Sequence, residues 1–166
     1  TTRHCYAIRD YFRMAPGERV CLQSPISFDA SIEQIFAPLS IGATVAIRDL
    51  EVLSPKPFSA MLAGLKVNII QLPPAFILAL FREWQLNPWL IPADLKLLIS
   101  CGDVLAVETV QLWQAMLKDR VTLLNVYGPT EVTAKATFHQ VEPDPDTEHL
   151  ARIPIGRPLA NKKIYI

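Results

Sequence analysis

The chain has 166 residues, of which 51% are apolar and 19% charged. At roughly 100–200 residues per domain this is one domain, with enough apolar content for a sizeable core, which excludes disorder. Sixteen basic and sixteen acidic residues cancel, so the footprint of a nucleic-acid or anionic-membrane binder is missing. Mean hydropathy is +0.24, yet no stretch approaches the roughly 18 apolar residues of a membrane span. Neither nucleic acid nor membrane is expected as a partner. The apolar excess lies in short runs broken by proline and charge, as in a sheet buried on both faces. Cys5, Cys21 and Cys101 are an odd set without CxxC spacing, which gives no disulfide framework and no zinc site. A reducing, cytoplasmic setting is expected. The chain opens without Met, shows no signal peptide and ends in the middle of an alternating strand pattern, Lys162 to Ile166. It reads as a piece of a longer chain.

In chain order, Cys5, Ile8, Phe12 and Ala15 predict a helix over residues 3–15, stopped by Pro16-Gly17. Residues 19–23 read as a strand. Ile32, Ile35, Phe36 and Leu39 form one helical face, ended by Gly42 and followed by a strand over 43–47. Residues 55–65 read as a helix with Pro57 in its first turn. A strand over 67–72 is stopped by Pro73-Pro74. Ile77, Leu80, Phe81 and Trp84 mark a helix, 95–100 a strand, Ala106, Val110, Trp113 and Leu117 a helix, and 121–126 a strand. This alternation predicts an α/β fold, a mainly parallel sheet with helices on both faces. Residues 142–148 read as a polar loop, and 153–166 as a pair of short strands. The expected division is an α/β subdomain over 1–142 and the start of a following β segment over 143–166.

In parallel sheets ligands bind outside the carboxyl ends of the strands. The polar or glycine-bearing strand ends are Ser27-Phe28-Asp29, Gln71, Ser100-Cys101-Gly102-Asp103 and residues 125–131. The last of these, Asn125-Val126-Tyr127-Gly128-Pro129-Thr130-Glu131, is the sharpest signal. Gly128 permits close backbone approach to a ligand. Thr130 and Glu131 suit a phosphate oxygen and a Mg²⁺ ion, and Tyr127 offers a face to a planar base. The plainer alternative is a strand-to-helix turn, with Thr130 as N-cap and Glu131 on the helix dipole. Asp29 has its own plain alternative, as N-cap of the helix that follows. Trp84, Trp89 and Trp113 read as packing residues. His4, His139 and His149 are scattered without metal-ligand spacing.

The string at 125–131 resembles the Tyr-Gly-Pro-Thr-Glu motif of adenylate-forming enzymes, specifically the adenylation domains of nonribosomal peptide synthetases. Ser27-Phe28-Asp29-Ala30-Ser31 resembles the earlier Phe-Asp-x-Ser motif. Gln71-Leu72-Pro73-Pro74, the strand Leu97 to Asp103, and Ile155-Gly156-Arg157-Pro158 follow in the family's order. The resemblance implies that an amino acid carboxylate attacks the α-phosphate of ATP. Aminoacyl-AMP and pyrophosphate result, and the acyl group then moves to the phosphopantetheine of a peptidyl carrier protein. It implies Asn125 and Tyr127 at adenine, with Gly102, Asp103 and Gly128 beside them, Thr130 on the α-phosphate and Glu131 on Mg²⁺. Cys101-Gly102-Asp103 stands where the family has Gly-Gly-Glu. The resemblance implies Asp29 as the partner of the substrate α-ammonium, with Ala30, Glu33, Gln71, Ile99, Cys101, Val126, Ala134 and Lys135 around the side chain.

If Glu33 and Lys135 pair, they form a polar wall; a freed one would meet an opposite charge on the substrate. Small Ala30, Val126 and Ala134 leave room, so a sizeable polar α-amino acid is expected. The remainder of the adenylation domain is an expected partner, because the family's phosphate loop, ribose-binding acid and catalytic lysine fall outside these residues. The segment alone is expected to hold the pocket without being active. Two rivals are an acyl-CoA or aryl-acid ligase of the same superfamily, which would not need Asp29, and a non-catalytic flavodoxin-like binding module.

Overall fold

The computed structural model describes residues 2–49, 52, 54–143, 152–160 and 162–165. Helix α1 (Thr2–Tyr11) precedes β1 (Arg19–Leu22), α2 (Ala30–Leu39), β2 (Thr44–Ile47), α3 (Pro55–Gly64), β3 (Ile69–Leu72) and α4 (Pro74–Leu86). Then follow β4 (Leu97–Cys101), α5 (Val107–Met116), β5 (Thr122–Tyr127), β6 (Thr137–Gln140) and β7 (Arg157–Pro158). The seven strands form one sheet in the order β2-β1-β3-β4-β5-β6-β7. The first four pairings are parallel and the last two antiparallel. This is the mainly parallel α/β sheet that the alternation of apolar runs predicts. The parallel part has the doubly wound order with its switch point between β1 and β3, where a crevice opens at the strands' carboxyl ends.

Side chains alternate across a strand, and each face gathers its own core. Ile70, Leu72, Leu98 and Leu123 pack with Phe58, Leu62, Leu80, Phe81, Trp84 and Trp113 of α3, α4 and α5. Ile69, Leu97, Ile99, Leu124 and Val126 pack with Cys5 and Ile8 of α1, Phe12 just after it and Ala37 of α2. The Trp84 indole donates to Ser59 Oγ at 2.7 Å, and the Trp113 indole to the Val121 carbonyl at 2.7 Å. Both buried N–H groups therefore find partners, as buried polar groups require.

Several expectations are corrected. Helix α1 stops at Tyr11, and Arg13 adopts a left-handed φ of 48°. Trp89 is not a packing residue: it is 77% exposed on a short 3₁₀ turn after α4. Only part of the apolar stripe of α2 faces the core: Ile32 packs against it, whereas Phe36 and Leu39 are 57% and 54% exposed. Ser31, Glu33, Gln34, Ala37 and Pro38 are buried instead. Satisfied polar groups set this rotation, because Gln34 Oε1 accepts from the backbone N–H groups of Gln23 and Ser24, both at 3.1 Å. No helix follows Thr130. The chain makes a 3₁₀ turn (Thr130–Val132) and returns as β6, which the sequence reading did not anticipate. Of the two strands expected over 153–166 only the two-residue β7 forms, and residues 162–165 lie outside any strand. Most of the expected loop at 142–148, and His149, lie outside the described residues.

Gly156 fixes the last pairing. Its φ is +82°, and a Cβ there would lie 1.8 Å from the Phe138 carbonyl oxygen of β6. Gly156→Ala is expected to destabilise the fold by at least about 1–3 kcal/mol, the usual cost of forcing atoms into filled space. Urea unfolding of the variant beside the parent chain checks this.

Candidate functional site

The carboxyl ends of β1, β3, β4 and β5 meet at the switch-point crevice. Gln23, just past β1, donates from Nε2 to the Gln71 carbonyl of β3 at 2.5 Å and ties the two strand ends together. The chain then turns through Phe28 and Asp29 into α2, with Ser31 Oγ donating to the Phe28 carbonyl at 2.7 Å. Asp29 is not a side-chain cap: it has helical φ and ψ, and its carboxylate makes no capping hydrogen bond. Its Oδ2 is buried and has no hydrogen-bond partner. A buried acceptor left open costs about 1–3 kcal/mol, and a cationic ligand would remove that cost.

Two cavities adjoin here. One, of about 390 Å³, is lined by Asp29, Ala30, Cys101, Val126, Ala134 and Lys135, with Phe28, Pro73, Gly102 and Gly128 among the rest. The other, of about 470 Å³, is lined by Gly102, Asp103, Asn125, Tyr127 and Gly128, together with Val126, Arg152 and Ile153. Gly102, Val126 and Gly128 belong to both. The alternation of β5 underlies the division: Val126 follows Leu124 on the α1/α2 face, while Asn125 and Tyr127 face the other side. Glu33, Gln71 and Ile99 do not line the larger cavities; they meet behind the first one, at a gap of about 10 Å³. That is about the least space that holds one water.

Beside the first cavity lies a buried charge cluster. The Lys135 ammonium donates to Glu33 Oε2, and His4 Nε2 contacts Glu33 Oε1. Glu33 and Lys135 are each 2% exposed, so neither is the solvated helix-face charge that its sequence context suggests. The turn that buries Lys135 is strained, since Thr133 and Ala134 both have positive φ, 64° and 60°. An L-residue in that conformation costs roughly 1–2 kcal/mol. The turn is braced from outside by Lys162, which donates to the Val132 carbonyl. Gly128 makes room for it: a Cβ there would lie 2.4 Å from Lys135 Cα. The close approach that Gly128 permits is thus first of all to backbone.

Burial pushes the Lys135 amine down to about 7, against the pull of Asp29, and contact with the Glu33 carboxylate favours the charged form. Burial, then Lys162 and Lys135, push His4 down to about 4. Only Asp29 pulls the other way. His4 is therefore a neutral donor from Nε2. Burial raises the Cys101 thiol to about 11, so it remains protonated and serves as cavity wall.

Asn125 is 3% exposed and donates from Nδ2 to the Pro154 carbonyl at 2.9 Å, holding the strand end to residues 152–155. Thr130 and Glu131 are exposed on the 3₁₀ turn. Among the described residues no three His, Cys, Asp or Glu side chains converge as a metal site. A single exposed carboxylate such as Glu131 fits a Mg²⁺ that arrives with phosphates, because Mg²⁺ commonly takes one or two carboxylates beside them. His4, Gln23 and Arg152 line or support the site without having been singled out by the sequence, whereas Phe28 and Pro73 lie in the strings at 27–31 and 71–74. Only the burial of an isolated histidine would have pointed to His4.

A doubly wound sheet with an open acid in one cavity at the strands' carboxyl ends and an aromatic in the adjoining one defines the class, an α/β protein with two cavities that share a wall. Residues 1–166 match the family described as AMP-binding enzyme, and the chain belongs to that family. It is 34% identical over 154 residues to tyrocidine synthase 2 of Brevibacillus parabrevis, covering 92% of this chain and 4% of that protein. It is 35% identical over 166 residues to bacitracin synthase 1 of Bacillus licheniformis, covering 95% and 3%. The chain thus spans a small part of these relatives. Among solved structures it resembles the nonribosomal peptide synthetase FmoA3 with α-methyl-L-serine-AMP bound. The TM-score is 0.82 at 25% identity, over 96% of this chain and 18% of that one. It also resembles the Vibrio cholerae adenylation domain AlmE in complex with glycyl-adenosine-5′-phosphate (TM-score 0.77, 27% identity, 94% and 28% coverage). A third neighbour is a nonribosomal peptide synthetase protein containing adenylation and PCP domains (TM-score 0.76, 31% identity, 88% and 24% coverage).

Two outcomes are expected from the buried cluster. Glu33→Gln and Lys135→Met should each destabilise by about 3–5 kcal/mol, as breaking a buried pair does, and the double variant should recover most of the loss in urea unfolding. The folded pKa of His4 lies below its unfolded value, so the unfolded chain binds the extra proton between about pH 6.5 and 4. Stability should therefore fall as pH drops through that window, and His4→Gln should flatten this part of the stability–pH curve.

Proposed function

We propose that residues 1–166 are the substrate-pocket part of an adenylation domain that activates an α-amino acid with ATP. The single observation that carries this reading is the buried, unpartnered Oδ2 of Asp29 in a largely apolar cavity that shares a wall with a second one. An α-ammonium would satisfy that oxygen, which favours an amino acid over an acyl or aryl acid. The side chain would lie along Ala30, Cys101, Val126 and Ala134, with Glu33, Gln71, Ile99 and Lys135 behind and beside it. The room and the charged wall support a sizeable polar side chain.

The adjoining cavity suits the adenosine, with Tyr127 as stacking face and Gly102, Asp103, Asn125 and Gly128 around it. With an amino acid in one cavity and a nucleotide in the other, the α-carboxylate would lie next to the α-phosphate across the shared wall. A carboxylate oxygen forms the new bond to phosphorus, and the bond from phosphorus to the bridging oxygen of pyrophosphate breaks. The groups contributed by this chain do their work by positioning, which dominates phosphoryl-transfer catalysis. Thr130 would donate to the α-phosphate and Glu131 would hold Mg²⁺, which supplies neutralisation of phosphate charge when bound. The remaining parts of the domain, and a peptidyl carrier protein whose phosphopantetheine thiol takes the acyl group, complete the reading. It is the activity of a cytoplasmic enzyme with ATP at hand.

In the complete domain that contains this segment, Asp29→Ala should lower kcat/KM for the amino acid by at least about 30-fold, as losing one partner of a buried charge pair does. The KM for ATP should stay unchanged. Amino-acid-dependent ATP–pyrophosphate exchange checks this, and exchange unaffected by Asp29→Ala would contradict the assignment.

A further inference from the structure

The charge cluster behind the cavity says which side chain the cavity accepts, given the amino-acid-activating reading above. Both carboxylate oxygens of Glu33 are taken, Oε1 by His4 and Oε2 by Lys135. The gap at Glu33 measures about 10 Å³, so no substrate amine reaches it while the cluster holds. An ammonium has three donors, and Glu33 takes one of them from Lys135. Lys135 lines the 390 Å³ cavity whose other walls include Ala30, Pro73, Cys101, Val126 and Ala134. Lys135 lines the cavity beside the acid at Asp29 and the apolar walls, and an ammonium held by one carboxylate oxygen keeps donors for a further partner.

Charge balance then selects among side chains that reach Lys135. Asp29 is neutralised by the substrate α-ammonium, and Glu33 by Lys135. A substrate carboxylate would add a negative charge with no counter-ion in the pocket. A substrate amine would face the Lys135 ammonium. Each leaves an uncompensated buried charge, which is strongly unfavourable. A purely apolar side chain leaves the Lys135 donors open. A neutral acceptor at the end of an apolar stem satisfies the donor and leaves the charge at zero.

We infer that this site selects an α-amino acid whose side chain ends in a neutral carboxamide, that Lys135 is the residue that reads it, and that His4 is a positioning residue acting through Glu33. His4 lies on α1, outside the 390 Å³ cavity, and acts by occupying the oxygen of Glu33 that Lys135 leaves open. Without that contact Glu33 is free to turn toward a basic substrate.

The test is ATP–pyrophosphate exchange by the complete domain with glutamine, glutamate, lysine and norleucine, which share similar length and differ in the terminal group. Glutamine should exceed each of the others by at least about tenfold in kcat/KM, within the range that hydrogen-bonding sites reach. Glu33→Gln removes the counter-charge of Lys135 and should move the preference toward glutamate. Lys135→Met should raise the KM for glutamine and lower it for norleucine. The double variant Glu33→Gln/Lys135→Met leaves no unpaired charge, so it keeps the test open if a single variant does not fold, and it should also favour norleucine. His4→Gln retains a donor to Glu33 and should keep the parent ratios, whereas His4→Ala should gain activity with lysine.

Parent preference for glutamate, lysine or norleucine overturns the inference while leaving amino acid activation standing. Ratios unchanged in the Glu33 and Lys135 variants overturn the role of Lys135. Unchanged ratios in His4→Ala overturn the role of His4. Absence of exchange with every α-amino acid overturns both the inference and the activation reading.

Discussion

The Glu33–Lys135 contact is the constraint on which the site depends. It joins two elements 102 residues apart in sequence, α2 on one face of the sheet and the turn between β5 and β6. Two charges taken out of water together are costly, and their attraction compensates only when the geometry is good and the remaining hydrogen-bonding capacity is used. Here His4 uses part of that capacity. The same contact goes with an α2 that leaves Phe36 and Leu39 exposed, and with two consecutive left-handed residues at Thr133 and Ala134 next to Lys135. A pair of this kind is weak evidence for stability and stronger evidence for a fixed arrangement. In this fold what it fixes is the turn at Ala134 and Lys135, which lines the 390 Å³ cavity.

The sheet supplies the second half of the arrangement. Parallel strands in doubly wound order leave a crevice where the order reverses. Strand β5 sends successive side chains to opposite faces at that crevice, so one strand end serves two cavities. Gly128 then allows the returning backbone of residues 134–136 to lie against the strand end, where a side chain would push it away. The functional geometry thus follows from strand alternation, one close backbone approach and one buried ion pair.

The alternation of apolar runs made the α/β sheet legible, because strands buried on both faces must be apolar throughout. The motif at 125–131 made the site legible, since few sequences combine a strand end, Gly-Pro and Thr-Glu. The orientation of α2 was not legible. Its period-3.6 apolar stripe is genuine, but hydrogen bonds to Gln34 and the pairing of Glu33 outweigh it. Strand β6 was missed because four residues, Thr137–Gln140, carry too short a pattern to separate from loop. His4 was missed because its partner is 29 residues away, and nothing in sequence spacing joins them.

The proposed arrangement sets one amino acid and one nucleotide across the shared wall of the two cavities, with the α-ammonium on Asp29. Its most direct test is a crystal structure of the complete domain with a non-hydrolysable glutaminyl-adenylate analogue. The ammonium is expected within hydrogen-bonding distance of Asp29 Oδ2, the carboxamide oxygen at Lys135 Nζ, and the adenine against Tyr127. An ammonium seated on Glu33, or an adenine on the side of the sheet that carries α1 and α2, would contradict it.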